Sequence, residues 1–148
     1  MGAFKIIAFK LDDEEYGLNI ENVLSIERIQ HITRIPNVPP FVKGVMNLRG
    51  HVIPVLDLKE KLDLGESKFS ESTRVIITKL NDIELGLIVE KTSNVINVVP
   101  EAVESAESAG LNNTHFDGIF KFEGHFIILL NLEDLMKQSN IEAQQKNN

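Results

Sequence analysis

The sequence predicts an all-β protein of two small five-stranded β-barrels, related by internal duplication and packed around a shared hydrophobic interface. Three observations predict it. Apolar, β-branched blocks alternate with turn residues along the 148 residues. Helix signals are few. And the chain repeats itself: Lys5–Leu18 (KIIAFKLDDEEYGL) matches Arg74–Leu87 (RVIITKLNDIELGL) at an offset of 69, and Gly44–Leu58 (GVMNLRGHVIPVLDL) matches Gly118–Leu132 (GIFKFEGHFIILLNL) at an offset of 74. Identical pairs include Lys10/Lys79, Gly17/Gly86, Gly44/Gly118, Gly50/Gly124 and His51/His125. Two blocks recurring in the same order point to a duplicated unit. The offset grows by five because the middle segment 88–117 is longer than its counterpart 19–43.

Taken in order, Lys5–Leu11 reads as a strand that turns at Asp12-Asp13 into a second strand, and Arg74–Leu80 repeats this around Asn81-Asp82. Val23–Ile29 and Val95–Val99 supply a middle strand in each unit. Gly44–Leu48 and His51–Leu56 make a second hairpin around Arg49-Gly50, mirrored by Gly118–Phe122 and His125–Leu130 around Glu123-Gly124. About five short strands in each unit suit a small closed barrel, which removes exposed sheet edges. Pro39–Lys43 reads as one helical turn with proline at its start. Leu58–Leu62 and Leu132–Gln138 are short amphipathic segments after the second hairpins. The expected division is a first barrel over 1–64, a polar linker over 65–72, a second barrel over 73–138 and a polar, disordered tail over 139–148, with the N-terminal strand free to cross between barrels. Val52–Leu56 and Phe126–Leu130 carry apolar residues on both faces, a surplus for the interface between lobes or for partners.

Composition excludes several function classes. The chain is 43% hydrophobic and 25% charged, as an ordinary globular protein is. A net charge of -7 without a Lys/Arg cluster argues against nucleic acid as a partner. There is no cysteine, hence no disulfide, thiolate metal site or Cys nucleophile, which fits a reducing compartment. The run MGAFKIIAFKL is too short and interrupted for a signal peptide or membrane span, so a cytoplasmic location without membrane insertion is expected. None of the four histidines stands at a metal-binding spacing. His51 and His125 are repeat equivalents beside a hairpin glycine, which assigns them a structural role. No nucleophile elbow, Walker loop or Gly-x-Gly phosphate motif is present. Asp12-Asp13-Glu14-Glu15 reads as a solvated turn, because its repeat copy is Asn81-Asp82-Ile83-Glu84. No catalytic residue, metal ligand or cofactor is therefore expected. Arg49 stands out at a turn tip after an apolar strand, with Glu123 as its repeat partner. The two are placed to pair across a pseudo-twofold axis or to point at a shared cleft.

The run Glu15-Tyr16-Gly17-Leu18-Asn19-Ile20, then Val23, Ile32-Thr33-Arg34-Ile35-Pro36, Pro39, Phe41, Lys43-Gly44-Val45 and Asn47-Leu48-Arg49-Gly50-x-x-x-Pro54-Val55-x-Asp57-Leu58, closely resembles the CheW family of chemotaxis coupling proteins. The likeness covers nearly the whole chain, more loosely in the second half through Glu84–Val89 and the last hairpin. It implies two SH3-like barrels and a non-enzymatic adaptor. Such an adaptor joins the regulatory domain of the histidine kinase CheA to the cytoplasmic tips of chemoreceptors, monomeric alone and assembling into arrays with its partners. By the same resemblance, Val23, Ser25, Val45, Asn47, Arg49, Thr92 and Val95 would lie at a receptor-binding groove between the barrels. Val52 and Pro54 on one lobe, and Ala102, Glu104 and Ala106 on the other, would meet the kinase. The chain departs from the family at Ser25, where Glu is common, at Glu27, where a nearby Arg is common, and in the acidic loop 101–108. The alternatives are a CheW-like adaptor of a non-flagellar pathway, such as pilus motility or development, and a small-molecule-binding β-barrel regulator with a closed, lined cavity. An enzyme with a dispersed site would need convergent polar residues with perturbed ionisation.

Overall fold

The computed structural model describes residues 2–111 and 113–137; Gln138 and the expected tail 139–148 lie outside them. The first unit contains β1 (Phe4–Leu11), β2 (Glu14–Asn19), β3 (Val23–Arg28), β4 (Ile32–Thr33), β5 (Val42–Leu48), β6 (His51–Asp57) and the short helix α1 (Leu58–Lys61). The second unit contains β7 (Arg74–Leu80), β8 (Ile83–Val89), β9 (Lys91–Val98), β10 (Glu104–Ser105), β11 (Phe116–Phe122), β12 (His125–Leu130) and α2 (Leu132–Lys137). The expected helical turn at Pro39–Lys43 is instead a β-turn closed by the Val42 amide on the Pro39 carbonyl at 3.0 Å, after which β5 begins at once.

The strands form two six-stranded sheets, one ordered β10-β11-β12-β2-β1-β9 and the other β4-β5-β6-β8-β7-β3. Replacing each strand by its repeat counterpart turns one order into the other, so the duplication extends to topology. Every pairing is antiparallel except β2 with β12 and β6 with β8. Even the irregularities recur: the register shifts between Val42 and Gly44 in β5 and between Phe116 and Gly118 in β11. Phe9 opposes Thr92 and its equivalent Thr78 opposes Val23, so Val23 and Thr92 correspond and the offset is still 69 at the start of β9. Glu104 opposes Ile119 as Thr33 opposes Val45, an offset of 71 (104 − 33). The extra residues of the second unit thus fall on either side of β10.

The sheets cut across the division expected at 65–72. The first hairpin, β1–β2, lies in the sheet of β9–β12, and β7–β8 lies in the sheet of β3–β6. The chain crosses over through the 3-10 turn Ile20–Asn22, capped by the Asn19 side chain accepting from the Glu21 amide, and again through Glu90. The apolar surplus of β6 and β12 divides: Ile53, Val55, Ile127 and Leu129 fill the cores of their own sheets, Leu56 and Leu130 join a core shared between the sheets, and Val52 and Phe126 stay exposed. The exchanged hairpins divide their apolar residues in the same way. Along β1, Ile6 and Ala8 face the core of their own sheet, with Ile96, Phe120 and Ile127. Ile7, Phe9 and Leu11 face a second core between the sheets. Along β7, Val75 and Ile77 join Met46, Ile53 and Ile88 inside the other sheet, while Ile76 joins the shared core. An exchanged hairpin is therefore buried on both faces and carries the continuous apolar run such strands require. The shared core includes the wholly buried Phe9, Leu11, Leu18, Leu56, Leu58, Leu85 and Leu87. Each contributes about 2 kcal/mol on burial, so separating the sheets would cost on the order of 10 kcal/mol, comparable to the stability of a whole domain.

Candidate functional site

The β5–β6 connection is a two-residue turn with Arg49 at φ 50° and Gly50 at φ 84°, both in the left-handed region that matches the strand twist. Asn47 steadies it, its side-chain oxygen accepting the Gly50 amide at 3.1 Å. The turn holds Arg49 up into solvent, with its side chain 74% exposed. Its guanidinium does not meet Glu123. Arg49 Nη1 lies 3.5 Å from Glu27 Oε2 on β3, the strand at the opposite margin of the same sheet. That contact requires the sheet to curl, and it replaces the pairing across the pseudo-twofold axis. Beside it, Leu24, Ser25, Leu48, Arg49, His51, Ile53, Ile77 and Glu84 line a hollow of about 310 Å³.

The other candidate receptor residues fall into two groups. Val23 and Thr92 lie in the first two residues of the equivalent strands β3 and β9, just past the crossovers, and Val23 packs on the shared core. Ile26 and Val95 are likewise equivalent: each lies opposite a residue of the shared core, Ile76 and Ile7, and remains exposed (39% and 55%). The shared core thus reaches the surface along two edge strands, one in each sheet. Val45 and Asn47 sit elsewhere, on the outer face of β5. There they oppose Pro54 and Val52. Residues expected on separate receptor and kinase surfaces are therefore cross-strand neighbours on one patch.

Among the candidate kinase residues, Val52 is 65% exposed but Pro54 is buried. Pro54 lies on a central strand between β5 and β8, opposite Val45. Ala102 and Glu104 are exposed, whereas Ala106 turns inward as its amide bonds to the Asp117 carbonyl at 3.2 Å. The repeat counterpart of the Val52 patch is Ile119, Ile128 and a 60%-exposed Phe126, opposite Lys121; the sequence marked Phe126 and Ile128 as apolar surplus without naming a partner for them.

Two of the four histidines have structural partners, whereas His51, the repeat equivalent of His125, lines the hollow beside Arg49. His125 Nε2 lies 2.7 Å from Glu15 Oε1, tying β12 to β2, and His115 Nδ1 lies 2.6 Å from Asp134 on α2. Asp57, the last residue of the NLRG-x-x-x-P-x-x-D motif, is 1% exposed. It accepts from the Lys59 amide, capping α1, and from the amide and hydroxyl of Ser67 at 2.9 and 2.5 Å. The neighbouring Lys59 reaches Asp12 at 2.6 Å and Glu90 at 3.6 Å, joining α1 to the first hairpin and to the second crossover. Its pKa is raised, chiefly by the hydrogen bond to Asp12. Lys61 lies 4.3 Å above the Phe41 ring, and burial lowers its pKa. These are fastenings of the scaffold. Among the described residues no group of three or more His, Asp or Glu side chains could hold a metal ion, and no helix is long and apolar enough to cross a membrane.

Comparison with known proteins places this geometry. The CheW-like domain family matches residues 5–140. The chain is similar to the chemotaxis protein CheW of Bacillus subtilis, 37% identical over 141 residues covering 94% of this chain and 90% of that one. It is also similar to the chemotaxis protein CheW of Helicobacter pylori, 31% identical over 135 residues covering 90% and 82%. A crystal structure of the scaffolding protein TtCheW from Thermoanaerobacter tengcongensis superposes with a TM-score of 0.83 at 34% identity, covering 91% of this chain and 92% of that one.

Proposed function

The chain belongs to the CheW-like domain family, and from that premise we propose that it is a chemotaxis adaptor that couples chemoreceptors to the histidine kinase CheA by binding both, without catalysing a reaction. The observation that carries this reading is the match over residues 5–140, within which an exposed Arg49 is held at the motif turn by Asn47. The receptor tip, a helical hairpin, would lie against the edge strands β3 and β9, where Val23, Thr92 and Val95 flank the shared core and Ser25 lines the hollow beside Arg49. Apolar side chains at helical spacing would be read there, with Arg49, Asn47 and Val45 extending the contact. The kinase regulatory domain would meet the exposed Val52 on one sheet and Ala102 and Glu104 on the other, with buried Pro54 and Ala106 shaping the backbone beneath. The adaptor would be monomeric alone, cytoplasmic, and recruited into receptor arrays.

The test is reconstitution. The protein is mixed with a kinase containing its regulatory domain and a receptor cytoplasmic fragment, and kinase activity is measured. Wild type is expected to activate the kinase in a receptor-dependent way, and a folded Arg49→Glu variant to lose that coupling. Absence of binding to either partner at micromolar concentrations, where even about -8 kcal/mol of affinity would register, rejects the reading.

A further inference from the structure

An open cleft of about 790 Å³ lies beside β4, the outermost strand of its sheet, and the first residues of β5. Its apolar lining includes Ile32, Ile35, Pro36, Val38 and, from the linker 65–72, Phe69, with Asn37 among them. Phe69 is 54% exposed, yet the linker around it is firmly tied. On one side Ser67 bonds to the buried Asp57, and the Lys68 amide bonds to Glu90 at 3.5 Å. On the other, the Ser70 amide bonds to the Thr73 hydroxyl at 2.8 Å. A solvent-facing aromatic ring carried on a fixed backbone beside an apolar lining is pre-organised for a ligand.

The cleft also has a charge preference. Two cations line it and no carboxylate does. Lys43 is already engaged, 2.6 Å from Glu60 and 3.2 Å from the Pro40 carbonyl. Arg34 is exposed and makes no ion pair among the described residues. In a chain of net charge -7 this gives the cleft a local positive bias. Pro36, Pro39 and Pro40 contribute no backbone donor to the lining, so recognition rests on apolar contact, on Arg34 for charge, and on the neutral Asn37 amide beside it.

We infer that this cleft is a second docking site, separate from the receptor and kinase surfaces, for an extended peptide segment of a protein partner that places an apolar side chain against Phe69 and a carboxylate on Arg34. An open groove beside an outer strand suits an extended chain better than an enclosed small molecule.

The probes are acetyl-Leu-Phe-Leu-Glu-amide and its Gln counterpart, titrated into the full-length ¹⁵N-labelled protein. The acidic peptide is expected to bind at millimolar strength and to shift amides of 32–43 and 67–70. The Gln peptide is expected to bind about three- to fivefold more weakly, the worth of one exposed ion pair. Phe69→Ala should weaken both peptides about tenfold, as loss of one buried aromatic contact does. Arg34→Gln should erase the difference between them. Both side chains are exposed, so both variants should fold and couple receptor to kinase as wild type does. No saturable shift up to ~5 mM peptide, below about 3 kcal/mol of binding, overturns the inference. So do shifts centred on Phe126 or on the Arg49 hollow. Loss of kinase coupling in Phe69→Ala would instead make the cleft part of the adaptor surface and overturn its separateness, leaving the adaptor reading intact.

Discussion

Arg49 and Glu123 occupy the same position in two hairpins whose backbones agree closely: φ is 50° and 47°, followed by glycines at 84° and 86°. The strands around them share a bulge and a register. The side chains share nothing in charge. Around Arg49, Asn47 caps the turn and Glu27 faces the guanidinium; around Glu123, the position of Asn47 is Lys121 and that of Val52 is Phe126. The comparison separates two kinds of constraint. Backbone geometry is common to both lobes because the sheet needs it, whereas side chains at the tips have diverged because sheet stability does not depend on them.

The most severe way to break the first half of that comparison is at Gly44 and Gly118. At Gly44, φ is 140° and an added Cβ would overlap the Thr33 carbonyl oxygen. Gly44→Ala should therefore lose about 4 kcal/mol, combining backbone strain with a clash against main chain. At Gly118 the added Cβ would meet the Glu104 carbonyl and a Val103 methyl, both at 2.7 Å, with an ordinary φ. Gly118→Ala should lose about 2 kcal/mol. Urea denaturation measures both, and the reverse order would show that the two lobes are not held in the same way. In wild type the transition should be single by both near- and far-ultraviolet circular dichroism, because the shared core couples the sheets.

Asp57 and Asn131 are the next equivalent pair. Asn131 caps α2 by accepting the Asp134 amide at 3.0 Å. Asp57 caps α1 and also holds Ser67. Asn131→Ala should cost about 1 kcal/mol, the worth of a cap. Asp57→Ala should cost about 3 kcal/mol, since it also takes a charged acceptor from the part-buried amide and hydroxyl of Ser67. Equal costs would mean that Ser67 is not held in solution.

A third test uses pH. Tyr16 stacks with Phe9 in the shared core, ring centroids 6.1 Å apart, and its pKa is pushed up to about 12, first by burial and then by Glu14 and Asp12. The fold keeps the phenol neutral while the unfolded chain ionises near 10. Stability is then unaffected below pH 10 and falls between pH 10 and 12, by at most about 3 kcal/mol. Lys59 acts in the same range: its raised folded pKa stabilises the fold below the ordinary lysine value, and that contribution is lost as pH rises above it. Tyr16→Phe should remove the larger part of the alkaline loss. An unchanged profile in that variant would assign the loss to Lys59 and its partners.

Much of this was legible in the sequence, and what was not has physical reasons. The hairpins followed from apolar alternation and turn residues, and Arg49-Gly50 and Glu123-Gly124 are the turns they were read to be. Crossing of the N-terminal strand was allowed for, but the reciprocal exchange of two whole hairpins was hidden by the repeat itself. Lys10-Leu11-x-Asp13-x-Glu15-x-Gly17-Leu18 and its copy at 79–87 are so alike that each hairpin satisfies the pattern of either sheet, and only the assembled chain decides between them. The Glu27 partner of Arg49 was hidden because an ion pair between distant strands leaves no periodic trace. Ser67 and Phe69 were read as plain linker, although one is tied to a buried aspartate and the other lines a cleft. A buried Asp at the end of an apolar strand is the signal that something must come to meet it.

The smallest expected effect bears on the second half of the comparison. Arg49 is 74% exposed and its contact with Glu27 is 3.5 Å long, so the pair should couple by less than about 0.5 kcal/mol in a double-mutant cycle of Arg49→Ala and Glu27→Ala read by urea denaturation. Glu123→Arg should be equally neutral. Arg49→Glu brings two carboxylates together beside Glu27 and should lose no more than about 1 kcal/mol, leaving a folded protein whose partners can be tested. A coupling above about 1.5 kcal/mol would mean that Arg49 closes the curled sheet against β3. A guanidinium needed for that closure could not also be spared for a partner's acceptor, whereas one held loosely by Glu27 is oriented by its turn and still has most of its donors free.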